Sequence, residues 1–356
     1  MSESSSWMIY GANGYTGRLI AAEAVQRGMR PVLGGRSAEP VASLAAELGC
    51  EHRVFPLDES AAQHLAGMSV VLHCAGPFSA TARPMIDACL HARAAYLDIT
   101  GEIDVIEYAF AQNAAARSAG VAVIPAVGFD VVPSDCLALT LRTALPTANR
   151  LILAFSSAGG LSPGTAKTSL ESLPHGGRAR IDGRIVRVPT AWKTRDVDFP
   201  EGRRATVTIP WGDVASAFHS TGIPNIEVYA SMPPAQIRAM RRWRWLFPLA
   251  GLGLVQRLAR RRIERIVPGP SADELASSRA SFWGRVEDEA GRFAEATLST
   301  LGGYPLTVQT ALKFVDAALD RRLLPGFSTP ARALGPQIID RVAGSQLIWK
   351  HCPSAS

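Results

Sequence analysis

Three glycines in the run Gly11-Ala12-Asn13-Gly14-Tyr15-Thr16-Gly17 can do one kind of chemistry together: they let a backbone come close to phosphate. Glycine permits the sharp turn, and a helix that starts there offers N–H groups and the positive end of its dipole to an anion. Asn13, Tyr15 and Thr16 lie inside the run, the last two as candidates for phosphate contact through backbone or hydroxyl. Arg36 stands nineteen residues after Gly17. At that distance a site for NAD places Asp or Glu on the ribose 2′-hydroxyl. A guanidinium pairs bidentately with phosphate instead, and Ser37 adds a hydroxyl, so the expected cofactor is NADP, held by its 2′-phosphate.

The elements around these residues must position them. Trp7-Met8-Ile9-Tyr10 reads as a strand entering the glycine turn, and Arg18 to Arg27 as the helix leaving it. Met29 to Gly34, His52 to Leu57, Ser69 to Ala75, Ala95 to Ile99 and Val121 to Ile124 read as further strands. Helices are expected over Val41 to Leu48, Ala61 to Ala66, Ala80 to Ala92 and Val105 to Ala119. Six strands alternating with helices predict an α/β fold, a doubly wound parallel (Rossmann) sheet. In such sheets ligands sit beyond the carboxyl ends of the strands. That rule brings Ala75, Gly76, Pro77 and Phe78 to the cofactor, with Phe78 along the nicotinamide, and adds Thr100 and Gly101 from the next strand. Tyr96, Asp98, Glu102 and Asp130 project into the same crevice as candidate catalytic groups. Asp98 or Glu102 could instead bind the nicotinamide ribose or cap the next helix.

After Asp135 the pattern changes. A helix is expected from Pro133 to Leu145, then strands over Leu151 to Ser156, Ile185 to Pro189, Ala205 to Pro210, Ile226 to Ser231, Phe282 to Val286 and Phe293 to Thr297. These predict a second, α+β domain with a mostly antiparallel sheet. Leu306 to Leu319 is helical again. The expected division is a Rossmann domain over 1–133, completed by 304–356, and a substrate and dimerisation domain over 134–303, with a homodimer compatible. Lys167, in the second domain, is a candidate for polarising a carbonyl.

Five scattered cysteines, without metal-ligand spacing, point to neither a disulfide framework nor a metal site. The start MSESSSW leads straight into the first strand, so no signal peptide is expected, and the expected compartment is the reducing cytoplasm. Between Arg238 and Arg265 there are nine Arg and one Glu, and the rest of the chain is nearly neutral. Nucleic-acid binding is therefore not expected, because its basic residues would spread over a recognition surface. The uncharged run Trp245 to Val255 is too short to span a bilayer, which takes about 20 residues. With its flanking arginines and tryptophans, 238–265 suits peripheral membrane contact, an acyl-carrying partner or a lipid-like substrate, although a core hairpin with a solvated charged end fits the same pattern.

The glycine turn, Gly35-Arg36, Ala75-Gly76-Pro77-Phe78, Tyr96 to Glu102 and Pro125 to Asp135 together resemble the saccharopine dehydrogenase-like oxidoreductases. Gly159-Gly160 with Gly164-Thr165-Ala166, Phe282 to Val286 and Gly303 to Thr307 look like the branch called trans-acting enoyl reductases. Arg285 stands where that branch is expected to carry Glu. The resemblance implies an NADP-dependent reductase that reduces a carbon–carbon double bond on an acyl chain carried by a polyketide synthase. Such a reaction needs a donor at the thioester carbonyl and a proton for the α-carbon. Two other classes stay open. One is an imine or C–N reductase, with Arg178, Arg180, Arg184 and Arg187 holding substrate carboxylates. The other is a non-catalytic NADP sensor.

Overall fold

The computed structural model describes residues 6–158, 173–251, 253, 262 and 271–352. Lys167, the Gly159-Gly160 and Gly164-Thr165-Ala166 motifs and most of 252–270 lie outside the described residues.

Strands β1 (Ser6–Tyr10), β2 (Val32–Gly35), β3 (His52–Val54), β4 (Met68–His73), β5 (Ala95–Asp98) and β6 (Ala122–Ile124) alternate with helices α1 (Tyr15–Gln26), α2 (Ala38–Leu48), α3 (Ala61–His64), α4 (Phe78–Ala92), α5 (Ile103–Ala111) and α6 (Asn113–Ala119). Met8, Ile9, Val70, Val71 and Leu72 are fully buried, as strands covered on both faces require. The expected single helix over Val105 to Ala119 is two helices, α5 and α6, parted at Gln112. Asn113, which opens α6, turns its side-chain oxygen to the N–H of Phe327 at 2.9 Å.

In the second unit, helix α7 (Val132–Ala144) precedes strands β7 (Arg150–Ala158), β8 (Gly177–Ile181), β9 (Arg184–Val188), β10 (Thr194–Phe199) and β11 (Gly202–Thr208). Helix α8 (Asp213–Thr221), strand β12 (Asn225–Ser231), helices α9 (Pro234–Trp243) and α10 (Ala272–Ser277), and strands β13 (Arg279–Glu287) and β14 (Phe293–Leu301) follow. After helix α11 (Gly303–Leu319) come the short strand β15 (Gly326–Phe327), helix α12 (Pro330–Leu334) and strand β16 (Gln346–His351).

The first sheet runs β15-β6-β5-β4-β1-β2-β3, and every pairing in it is parallel. Its direction of growth reverses at β1, with β2 on one side and β4 on the other, which is the switch point where such sheets take ligands. The second sheet has the main path β10-β11-β12-β7-β13-β14-β16, with the β8–β9 hairpin joined at β12. Only β12 and β7 run parallel in it. Strand β13 carries Gly284 because α7 lies on it: a Cβ there would stand 2.7 Å from a Leu141 methyl.

The two compact units are Met1–Phe129 with Leu306–Leu334, and Asp130–Pro305 with Gly335–Ser356. The carboxyl-terminal part therefore divides, where all of 304–356 was expected in the first unit. β15 adds an edge to the parallel sheet, whereas β16 pairs antiparallel with β14 in the second. The first boundary also falls earlier than expected, so Asp130 begins the second unit.

Candidate functional site

The glycine turn sits at the carboxyl end of β1 and is fastened on both sides. Gly11 and Ala12 both donate to the Gly34 carbonyl, at 2.8 and 3.1 Å, and the Cys74 N–H reaches the Tyr10 carbonyl at 2.7 Å. Gly11 has φ +84°, and a Cβ on it would stand 2.6 Å from the Ala75 nitrogen. A Cβ on Gly17 would stand 2.3 Å from the Gly11 carbonyl oxygen. Helix α1 begins at Tyr15, earlier than expected, with Gly14 as its cap residue and no side chain closing its first turn. Tyr15, Thr16 and Gly17 thus form that first turn. Arg36 and Ser37 lie exposed just past β2. Asn13 approaches that strand end, where a Cβ on Gly35 would meet its side-chain oxygen at 3.1 Å. A backbone cradle that excludes side chains, an open helix start and a free-standing guanidinium one strand away together fit a phosphorylated dinucleotide.

The neighbouring loops carry the remaining cofactor candidates on the same edge of the sheet. Ala75, Gly76 and Pro77 lead from β4 into α4, which starts at Phe78. The Phe78 N–H donates to a Glu102 carboxylate oxygen at 3.0 Å, which ties this loop to the one after β5. Thr100 is buried, and its hydroxyl accepts the Glu102 N–H at 3.0 Å; Gly101 lies half-buried between them.

Asp98 is wholly buried at the end of β5. One carboxylate oxygen accepts the N–H groups of Thr100 (2.9 Å) and Ala126 (2.7 Å), and the other accepts the hydroxyl of Tyr96 (2.6 Å). Burial pushes its pKa up to about 6 against the lowering effect of those donors. Tyr96 is equally buried, and burial first, then the Asp98 carboxylate, raises its phenol. Both are candidate catalytic groups, and in the structure the Asp98 carboxylate also ties the loops after β5 and β6 together. Asp130 follows the β6 loop and is half-buried, and burial pushes its pKa up to about 7.

His73 was not singled out from the sequence. It is fully buried at the end of β4, 3.0 Å from the Thr81 hydroxyl through Nε2. Thr81 gives its only hydrogen to the Ala75 or Pro77 carbonyl, at 2.6 and 3.1 Å, so it accepts from His73 and the hydrogen sits on Nε2. Nδ1 is an acceptor without a hydrogen-bond partner among the described residues, and burial drives the imidazole pKa down to about 3. A neutral His–Thr pair therefore braces the turn of Ala75 to Pro77. A histidine five residues before α4 carries no periodic signal, so only the folded geometry reveals it. In the second unit, Asp213 is likewise buried, and burial, with Asp135 and Asp130 adding like charge, raises its pKa well above the usual carboxylate range.

The arginines proposed for substrate carboxylates are arranged otherwise. Arg180 is buried, donates to the Val214 and Gly183 carbonyls at 2.8 Å each, and stacks on Phe218 at 4.0 Å. Arg178 and Arg187 face each other across the β8–β9 hairpin, and Arg184 is exposed at its turn. Arg285 pairs with Glu287 at 2.7 Å and with Glu295, directly across on β14, at 3.2 Å.

Residues 7–124 match the family model of the saccharopine dehydrogenase NADP binding domain. This first unit carries a saccharopine dehydrogenase-type NADP-binding domain. A trans-acting enoyl reductase of Mycobacterium leprae is 27% identical to it over 96% of both chains. A putative trans-acting enoyl reductase of Mycobacterium tuberculosis is 31% identical over 47% of this chain and 43% of the relative. Among solved structures, the saccharopine dehydrogenase (L-Glu forming) of Saccharomyces cerevisiae shares the fold, with a TM-score of 0.63 and 12% identity over 98% of this chain and all of that one.

Proposed function

We propose that this protein is an NADPH-dependent oxidoreductase that reduces the carbon–carbon double bond of an enoyl thioester presented by an acyl carrier of a polyketide synthase, in polyketide or lipid assembly. The observation that supports this most is the extent of the alignment to the Mycobacterium leprae relative, which runs through both units and not only through the cofactor domain. NADPH, when bound, supplies the hydride. The Gly11 to Gly17 turn and the start of α1 hold the diphosphate, and Arg36 with Ser37 takes the 2′-phosphate. Ala75 to Phe78, Thr100 and Gly101 form the wall along the nicotinamide half, kept in shape by His73, Tyr96, Asp98 and Glu102. Asp130 supplies the α-carbon proton, since a carboxyl with a pKa of about 7 holds that proton at neutral pH and can release it.

An imine or C–N reductase would need free cations for substrate carboxylates, and the backbone contacts of Arg180 count against that reading. Incubation with NADPH and a panel of enoyl thioesters and cyclic imines tests the proposal. Loss of reduced-nicotinamide absorbance with enoyl thioesters alone is the expected result. Loss with imines alone refutes it, and cofactor binding without loss in any arm indicates a sensor.

A further inference from the structure

Helix α9 packs one face onto the second sheet and turns a charged face outward. Ile237 is buried with Ala191 and Val207, and Met240 packs against the same cluster. Arg238, Arg241 and Arg242 are exposed along the helix, and Arg244 is exposed just past its end. Trp243 and Trp245 are 46% and 68% exposed, with ring centroids 6.4 Å apart. The Arg242 guanidinium lies 5.5 Å from the Trp243 ring. The sequence holds no Asp or Glu between Glu227 and Glu264. Two indoles in water are an unfavourable use of the largest apolar side chains, so something covers them.

We propose that this end of α9 docks on the surface of an anionic phospholipid bilayer. Tryptophan favours the headgroup level, where its ring is buried and its N–H stays hydrated. Arginines around it keep their stems on apolar surface and their charge among lipid phosphates. A protein hot spot is ringed by near-neutral contacts that exclude water. Here four exposed cations lie within a few residues of the indoles, and each cation would need its own acid from a protein partner, whereas a bilayer supplies mobile anionic headgroups to all of them. Among the described residues no helix is long and apolar enough to cross a membrane, so the contact is with the surface. The proposal does not depend on which double bond is reduced.

The test is flotation of the full chain with vesicles of phosphatidylcholine, with and without phosphatidylglycerol, at low and high salt. Binding is expected only to the anionic vesicles, weakened by salt as screening requires. Each arginine removed in R238S/R241S/R242S/R244S should lower partitioning by up to roughly fivefold at low salt. Tryptophan quenching by brominated phosphatidylglycerol is expected in the parent and should drop in W243S/W245S, with NADPH binding by both variants showing that they fold. Equal binding to neutral vesicles, no binding to anionic ones, or flotation unchanged in the arginine variant overturns the proposal. So does capture of an acidic carrier domain without vesicle binding.

Discussion

Replacing Asp98 by Asn removes a buried charge and almost no volume, and its effect should reverse with pH. The carboxyl has a pKa of about 6 in the fold against 3.8 when solvated, mainly because it is buried. Between about pH 4 and 6 the folded chain therefore keeps a proton that the unfolded chain has released, and stability falls as pH rises through that window. A shift of that size corresponds to about 3 kcal/mol when fully developed, at 1.36 kcal/mol per pKa unit. In D98N the amide oxygen can still accept from Thr100 and Ala126, but the amide nitrogen meets the Tyr96 hydroxyl, which loses its acceptor at a cost of about 1–1.5 kcal/mol. The variant should thus be more stable than the parent by roughly 1–2 kcal/mol at pH 7.5, and level with it or slightly weaker at pH 4.5. Urea unfolding followed by tryptophan fluorescence at several pH values measures this, and NADPH binding checks the site. A stability difference that does not change with pH, or that changes in the parent's favour as pH rises, refutes the argument. It would mean that the three donors outweigh burial and that Asp98 is an ordinary ionised carboxylate.

Gly17→Ala should lose roughly 1–3 kcal/mol of stability and NADPH binding with it, because the added methyl falls on the Gly11 carbonyl at 2.3 Å; calorimetry reads both. Arg36→Ser should weaken NADPH binding by roughly 10–100-fold while leaving NADH binding unchanged, as the loss of charge-assisted contacts to one phosphate predicts. His73→Gln keeps a donor for Thr81 but cannot be protonated. The parent's imidazole is held neutral down to about pH 3, so its stability falls as pH drops below 6.5, by about 2 kcal/mol at pH 5, and the variant should lose that acid sensitivity in unfolding titrations. Asp130→Asn should abolish turnover of the enoyl thioester without changing NADPH affinity, measured by steady-state kinetics beside fluorescence titration.

The parallel sheet was legible because its strands are buried on both faces and read as apolar runs, and because glycines punctuate their ends. The second sheet was less so. β10 (Thr194–Phe199) and β16 (Gln346–His351) end the main path of their sheet; β10 mixes charged with apolar residues, and β16 is a short, mostly exposed edge whose three apolar residues are too few to announce a strand. The β8 strand had a usable signal that went unread: Asp182-Gly183, both with positive φ (+47° and +77°), is the two-residue turn that a tight hairpin demands. Helix α8 (Asp213–Thr221) is short and carries small and polar residues that are buried by tertiary packing, which no periodicity announces. At the site, the glycine turn could be read because its constraint is local: Gly11 and Gly17 admit no Cβ. Residues whose partners lie far along the chain could not be assigned a role from type and position.

Those distant partners explain why acids at strand ends look catalytic in a sequence and act as braces in the fold. The loop after β4 is held to the loop after β5 by Glu102 on the Phe78 N–H. The loop after β5 is held to the one after β6 by the Asp98 carboxylate on Ala126, and by the Asp98 carbonyl on the Val127 N–H at 2.7 Å. The loop after β6 is held in turn to α11, where Thr307 accepts the Phe129 N–H at 3.0 Å and Thr310 donates to the Val127 carbonyl at 2.8 Å. Each brace joins segments that have no regular pairing at that edge of the sheet, where backbone donors would otherwise need water. A site that must receive a long dinucleotide needs this edge fixed before the ligand arrives, since ordering it on binding would reduce affinity. Polar residues at the carboxyl ends of these strands therefore serve first to hold the loops still. A residue there becomes a candidate for proton transfer only when its side chain has no loop to hold, and Asp98, with three donors on its carboxylate, has one.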